Sequence, residues 1–150
     1  MAAAIERVLV MDSVFFSVEA EGGTAGVISN IFYGIRQQMK LKPMSYYCEA
    51  IDEIAIIPMC VSKETRAHFS TPERKYVGWI RRTADIRLYM DYEAFIEAPM
   101  DGKIELCKKV IVDSLDAIEE RCRKRKVVFK KDLLLKDILG AYDNSFYGFE

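Results

Sequence analysis

The hydrophobic pattern along the chain is most regular between residues 85 and 92. Apolar side chains, such as Ile86, Leu88 and Met90, alternate there with mostly charged ones. Because side chains alternate across a strand, this period of two predicts a strand with one face on a core and the other in water. The strand pattern starts at Tyr76, and a kink or turn is expected at residues 81–83, which would split it into two strands.

The second regular pattern has the period of a helix. After Pro99, residues 103–123 carry apolar side chains every three or four positions, which predicts a long amphipathic helix. Its apolar stripe consists of Ile104, Leu106, Cys107, Val110, Ile111, Leu115, Ala117, Ile118 and Cys122. Two further helices are predicted over residues 25–39, with Thr24 as the N-terminal cap, and over residues 131–139.

Two more segments are predicted to be strands. Residues 5–19 are rich in β-branched and aromatic side chains, and a break at Asp12 and Ser13 indicates a bent strand or two short ones. Residues 54–61 are apolar on both faces, as expected for a central strand covered on both sides. Pro58 lies within this run and cannot donate a ladder hydrogen bond, so the pattern requires a bulge or an unpaired edge there.

Together these elements predict a single α+β domain over residues 1–150. A mainly antiparallel sheet is expected to pack against two longer amphipathic helices and a short C-terminal helix. The strand from Tyr76 is expected to run antiparallel to residues 54–61, because no helix separates the two segments. Residues 1–12 are expected to be either a loosely attached extension or the result of a misassigned start site.

The composition narrows the class of protein without assigning a chemistry. The formal net charge is −1, from 22 basic and 23 acidic residues, so no global field attracts nucleic acid or an anionic membrane. No apolar run approaches the roughly 20 residues that span a bilayer, and the first residues do not resemble a signal peptide. The 4 cysteines are scattered, without a C-x-x-C pair, which indicates reduced thiols and a cytoplasmic protein.

Candidate catalytic chemistry is sparse. His68 is the only histidine, so a zinc site is not expected, and no motif supplies it with a nucleophile and an orienting group. Gly22 and Gly23 precede a helix but lack the signature of a phosphate-binding loop, which favours an ordinary turn. The sequence therefore predicts no enzyme activity, no cofactor and no metal.

The densest basic run begins at Arg121 and ends at Lys126, and it leaves three interpretations open. Cations at a helix C-terminus interact favourably with the macrodipole, which explains much of the run. The same charges would also suit a nucleic-acid-binding or regulatory interaction module, or an acidic protein partner. Nucleic acid is the less expected partner, since no RNP-like or helix-turn-helix motif accompanies the run.

The candidate recognition surface is the polar phase of residues 76–92. Aromatic and arginine side chains dominate the anchors of protein interfaces, because each combines a large contact area with a polar group. This phase carries Trp79, Arg81, Asp85, Arg87, Tyr89 and Asp91. The interpretation assumes that the phase continues through the turn, and the alternative is an open sheet face with cross-strand ion pairs.

Three stretches of the chain, residues 16–21, 52–58 and 85–92, resemble an immunity-protein family of bacterial polymorphic toxin systems. The third stretch is followed by Phe95 and the long helix. The resemblance implies a small α+β protein that binds a cognate toxin domain and neutralises it by occlusion, without catalysis. The six residues of the polar phase are the predicted contact with that toxin domain. Neither a membrane nor nucleic acid is the expected partner.

Overall fold

The strands and helices follow the two hydrophobic periods of the sequence. The computed structural model describes the backbone of residues 5–10, 13–70 and 75–140, and the side chains of the last two ranges. The strands are β1 (Ile5–Val10), β2 (Val14–Glu21), β3 (Glu53–Val61), β4 (Lys75–Ile80) and β5 (Thr83–Asp91). The helices are α1 (Thr24–Gln38), α2 (Met44–Tyr47), α3 (Lys63–Arg66), α4 (Tyr92–Glu97), α5 (Met100–Lys124) and α6 (Lys131–Leu139).

The strands form one sheet in the order β1-β2-β3-β5-β4. β1 and β4 are the edges and pair antiparallel with β2 and β5, whereas β2, β3 and β5 run parallel to one another. The predicted α+β class is confirmed. The sheet is mixed, however, and the prediction of a mainly antiparallel sheet is corrected by its parallel centre.

The turn that splits the strand pattern explains this difference. Arg81 and Arg82 connect β4 to β5 in a tight hairpin, with Ile80 opposite Thr83. The predicted split is therefore confirmed, but β5 and not β4 lies next to β3. β5 has the longer row of inward apolar side chains, which suits a central position, while β4 is left at the edge. β4 does run antiparallel to β3, as expected, but β5 lies between the two strands and is parallel to β3.

One face of the sheet packs on a layer of helices. Ile28 and Phe32 of α1 and Ile111 and Leu115 of α5 are fully buried against β2, β3 and β5. The Phe32 ring stacks on Phe16 of β2 with centroids 4.5 Å apart. Leu134 and Ile138 of α6 complete the same core, so the three helices predicted from the sequence are confirmed within a few residues. No helix in the described ranges is long and apolar enough to cross a membrane.

The opposite face of the sheet, which we call the outer face, carries a second and smaller apolar cluster. Ala55, Ile57 and Met59 of β3 are buried there. Three partly buried aromatic side chains pack against them, namely Phe15, Phe69 and Tyr89. β3 is therefore apolar on both sides, as its sequence predicts.

Pro58 lies in the central strand without a bulge. The pairing of β3 with β5 is continuous through Pro58 and Leu88, while the pairing of β2 with β3 is interrupted between residues 56 and 59. The residue spacing is the same on both sides of the interruption, so no residue is inserted. The predicted bulge or free edge is thus replaced by a local gap in one ladder, where proline has no N–H to donate.

The link between β2 and α1 is the turn expected at Gly22 and Gly23. Both glycines have positive φ, 59° and 79°, and Gly23 occupies the position before the first helical residue. Thr24 was predicted to cap α1, but it is already helical and its hydroxyl donates to the Glu21 carbonyl at 2.7 Å. The turn therefore depends on glycine conformation, since no side chain caps this helix.

Candidate functional site

The hairpin reverses the alternation of side chains, and this divides the predicted contact residues. Across the two-residue turn, residues that face each other on β4 and β5 point to the same side of the sheet. Trp79 is opposite Ala84, whose side chain is in the core, so Trp79 lies on the helix side. Asp85, Arg87 and Tyr89 lie on the outer face. The sequence placed Trp79 on the same surface as these three residues, and that placement was wrong.

The β4 residues that share the outer face are Tyr76, Gly78 and Ile80. Tyr76 is opposite Arg87 and Gly78 is opposite Asp85. The Tyr76 ring lies along the strand, because a Cβ placed on Gly78 would be 3.1 Å from the ring carbon Cε1. The absence of a side chain at Gly78 therefore leaves room for the Tyr76 ring on this edge of the sheet.

A charged pair separates this edge from the apolar cluster of β3. Arg87 Nε lies 3.8 Å from Asp85 Oδ1, and neither atom is accessible to solvent or hydrogen-bonded within the described ranges. Burial raises the pKa of Asp85, Arg87 opposes that shift, and Glu19 on β2 adds to it. Buried charged atoms without hydrogen bonds are costly, so a partner that supplies hydrogen bonds to this pair would bind with a favourable free energy.

Tyr89 and Asp91 have structural partners of their own. The guanidinium of Arg66 lies 4.7 Å from the centroid of the Tyr89 ring, and the Phe69 centroid is 5.8 Å away. Asp91 caps α4 by accepting a hydrogen bond from the Glu93 N–H at 3.0 Å. Hydrogen bonding with Glu93 lowers the pKa of Asp91. Tyr89 therefore borders the apolar cluster, while Asp91 holds the end of β5.

Trp79 connects the hairpin to the C-terminal end of α5. Its indole N–H donates to the Arg81 carbonyl at 3.0 Å, and the Arg125 guanidinium lies 4.5 Å from its ring centroid. Arg121 donates to the Val77 carbonyl on the edge strand at 3.4 Å. The basic run therefore does more than interact with the helix dipole, since two of its arginines fasten β4 to α5.

A cavity of about 570 Å³ opens between the segment formed by α2 and the loop after it and the link from α5 to α6. Tyr46, Val128 and Lys130 are among the residues that line it. The ammonium groups of Lys42 and Lys130 lie 4.8 and 4.6 Å from the centroid of the Tyr46 ring. Sequence reasoning missed this site, because two distant segments form it and neither carries a motif.

The described residues do not assemble a metal site. Among residues 13–70 and 75–140, no group of three His, Cys, Asp or Glu side chains could hold a metal ion. His68 lies in the loop after α3, where its N–H donates to the Thr65 carbonyl at 3.0 Å. All 4 cysteines are buried and free, and burial raises the pKa of the Cys107 thiol to about 12.

The family model of Immunity protein 44 matches residues 12–143, which is most of the chain. No curated protein and no solved structure matches this chain. The resemblance noted in three stretches of the sequence is confirmed by the family match. The chain belongs to the Immunity protein 44 family.

Proposed function

We propose that this protein binds a toxin domain and neutralises it by occlusion, without catalysing a reaction. The observation that carries the proposal is the family match over residues 12–143. Occlusion needs a rigid surface on which a few anchor side chains exclude water. The outer face of β4 and β5 has these properties, and we propose it as the toxin contact.

Three kinds of side chain support this choice. Tyr76 and Ile80 offer exposed apolar area on β4, with Ile80 74% exposed. Arg87 and Asp85 lie between them and the apolar cluster of β3, and Tyr89 borders that cluster. The proposed contact thus keeps three residues of the polar phase, Asp85, Arg87 and Tyr89, and replaces Trp79 by Tyr76 and Ile80. Asp91 acts mainly as a helix cap in this proposal, and Arg81 belongs to the adjoining end of the hairpin.

The nucleic-acid alternative has less support. Within the basic run, Arg123 pairs with Glu119 and Lys124 with Glu120, at 3.5 Å in both cases. Arg121 and Arg125 contact β4, so most of these charges already have partners inside the chain. We further propose that neutralisation occurs in the cytoplasm, where four free thiols would stay reduced.

Co-expression with the toxin domain encoded by the neighbouring gene tests the proposal. The chain should restore growth of cells that produce the toxin domain, and the two proteins should co-purify. Ile80→Glu should weaken the complex by about 2 kcal/mol, or roughly thirtyfold in Kd, because it introduces a charge at an apolar anchor. Calorimetric titration with a catalytically inactivated toxin domain measures the change.

Met100→Glu is the matched control for this variant. Met100 is 55% exposed and begins α5 in the helix layer, so the same kind of change occurs far from the outer face. Its Kd should stay near that of the unmodified chain. If co-expression gives no protection and no complex forms, the proposed function is wrong. If the two variants bind equally well, the toxin contacts another surface.

A further inference from the structure

The end of the molecule beside the hairpin turn exposes an unusual amount of apolar surface. Val128 and Ile80 are 77% and 74% exposed, the highest values among the large hydrophobic side chains that the structure describes. Tyr46 is also exposed and lines the cavity next to Val128. These side chains come from β4, α2 and the link between α5 and α6, and they all lie at the end of the molecule beside the hairpin turn.

Contacts between the segments show that this surface is continuous. The Arg82 guanidinium donates to the carbonyl of Glu49, which lines the cavity. The Arg82 carbonyl in turn accepts from the Asp52 N–H at 2.7 Å. On the other side, the Lys130 N–H donates to the Tyr47 carbonyl at 2.9 Å. The turn and the cavity are therefore parts of one surface, which we call the hairpin end and define as Tyr46, Ile80, Arg81, Lys126, Val128 and Lys130.

The hairpin end also holds cations without a carboxylate partner. Arg81, Lys126 and Lys130 are exposed, and none forms an ion pair with a residue in the described ranges. By contrast, the cations on the exposed side of α5 are mostly paired, as Lys109 is with Asp113 at 3.3 Å. Glu49 lines the cavity, and Asp52 and Glu53 lie beside the turn, but Asp52 is paired with Arg82 at 2.9 Å. The two remaining exposed carboxylates do not balance three positive charges. This end is therefore locally basic although the whole chain carries −1.

We propose that the hairpin end binds a carboxylate-rich segment of the toxin domain, an inference that rests on the proposed function. Lys130 and Arg81 pair with Asp or Glu side chains of that segment, while Val128 and Ile80 cover its apolar neighbours. Lys42 and Lys130 lie close to the Tyr46 ring, so the ring helps to hold the ammonium groups where an anion can reach them. The docking surface then extends from the outer face around the turn to the cavity.

Charge and shape favour an acidic protein over a nucleic acid. Phosphate backbones are bound by extended rows of cations, and three unpaired cations give only a short row. The exposed aliphatic side chains of Ile80 and Val128 would have no role against phosphates, whereas protein interfaces use such apolar area at their centres. Electrostatic complementarity of this kind acts mainly on the association rate and weakens with salt.

The test compares two charge reversals on the complete chain. Lys130→Glu and Arg81→Glu should each weaken binding of the inactivated toxin domain about tenfold at low ionic strength, mostly through a slower association rate. The difference from the unmodified chain should shrink between about 50 mM and about 300 mM NaCl, because salt screens the interaction. Surface plasmon resonance measures both rates. Thermal unfolding of each variant checks that the fold is retained.

Lys136→Glu is the matched control, since Lys136 is exposed on α6 outside the cavity lining. It should bind the toxin domain like the unmodified chain. If both reversals bind like this control while Ile80→Glu does not, the inference is wrong and the proposed function stands. If the unmodified chain binds no toxin domain, both fail. Binding of single-stranded oligothymidylate as tight as that of the toxin domain would also overturn the inference, in favour of a nucleic acid.

Discussion

At the scale of single residues, Tyr47 joins two segments that are distant in sequence, residues 42–47 and α6. Its hydroxyl donates to Asp137 on α6 at 2.5 Å and accepts from the Lys42 N–H at 3.0 Å. Lys42 Nζ lies 3.6 Å from the same carboxylate. The side chain is fully buried, so it ties α2 to α6 beneath the cavity of the hairpin end.

Because the Tyr47 hydroxyl is buried, we expect the protein to lose stability at alkaline pH, where this hydroxyl ionises. Burial, with a further contribution from Asp137, raises the pKa of Tyr47 from 10.0 to about 12. Because the folded state holds this proton more tightly than the unfolded state, the stabilisation is complete below pH 10 and is lost as pH rises through about 12. The slope of the free energy of unfolding should approach about 1.4 kcal/mol per pH unit for this one proton.

Tyr47→Phe removes the titrating group and keeps the ring. The variant should lose about 1–2 kcal/mol at neutral pH, because Asp137 and the Lys42 N–H lose a buried hydrogen-bond partner. Above pH 10 the two proteins should converge. Urea denaturation of both proteins at neutral and alkaline pH measures this, and parallel stability curves would contradict the assignment.

The division of the candidate site also belongs to the residue scale. The sequence identified Asp85, Arg87 and Tyr89 correctly as one phase, because they lie on a single strand. Trp79 was misplaced, since the two-residue turn pairs odd positions with even ones. The basic residues at 81 and 82 marked the turn, and counting across it would have exchanged Trp79 for Tyr76 and Ile80. Tyr46, Val128 and Lys130 carried no such signal, because only tertiary packing brings them together.

At the scale of elements, the turn before α1 makes different demands on its two glycines. A Cβ on Gly22 would lie 3.1 Å from Cε1 of the Tyr92 ring, whereas a Cβ on Gly23 would meet nothing within 4 Å. Both positions have a left-handed backbone conformation, which costs other residues about 1–2 kcal/mol. Comparing the same substitution at the two glycines therefore separates the energetic cost of backbone strain from the cost of crowding against Tyr92.

Gly23→Ala should destabilise the fold by that backbone cost alone. Gly22→Ala should lose about 1–3 kcal/mol more, because Tyr92 has to move from its place at the start of α4. Chemical denaturation of the two variants provides the comparison, and each serves as the control for the other. Equal losses would mean that the Tyr92 ring moves aside without a penalty.

The elements themselves were largely predictable, whereas their order in the sheet was not. The helical periods of α1, α5 and α6 and the alternation in β5 are local, so the sequence defined them within a few residues. The position of β5 between β3 and β4 is non-local. It follows from the two-residue turn and from the row of Ile86, Leu88 and Met90, which suits β5 for a central place. Pro58 shows the same limit, because a central strand tolerates it through a gap that local rules do not predict.

At the scale of the whole molecule, one side of β4 packs against the helix layer and the other side is the proposed toxin contact. Trp79 packs beneath Arg125 on the helix side, and Tyr76 lies exposed on the outer face three positions earlier. Trp79→Ala should therefore lower the free energy of unfolding by about 1–3 kcal/mol while the folded protein still binds the toxin domain. Tyr76→Ala should do the opposite, with little loss of stability and weaker binding.

Thermal unfolding and titration with the inactivated toxin domain, applied to both variants, distinguish these effects. The pair shares one strand and one type of change, so each variant is the reference for the other. A Trp79→Ala protein that is fully stable but unable to bind would return Trp79 to the contact surface. Loss of stability in Tyr76→Ala would show that the ring over Gly78 holds the edge strand in place.

The strand order β3-β5-β4 has a consequence for how the chain folds during synthesis. β4 leaves the ribosome before β5, the strand with which it pairs. β3 also pairs with β5, which comes two strands later in the chain. The hairpin contacts β3 only through β5, so the sheet can be completed only once residue 91 has been made. Pairing of this range raises contact order and slows folding. The proposed toxin contact on the outer face of β4 and β5 is therefore absent from a growing chain until β5 has been synthesised and has paired with β3.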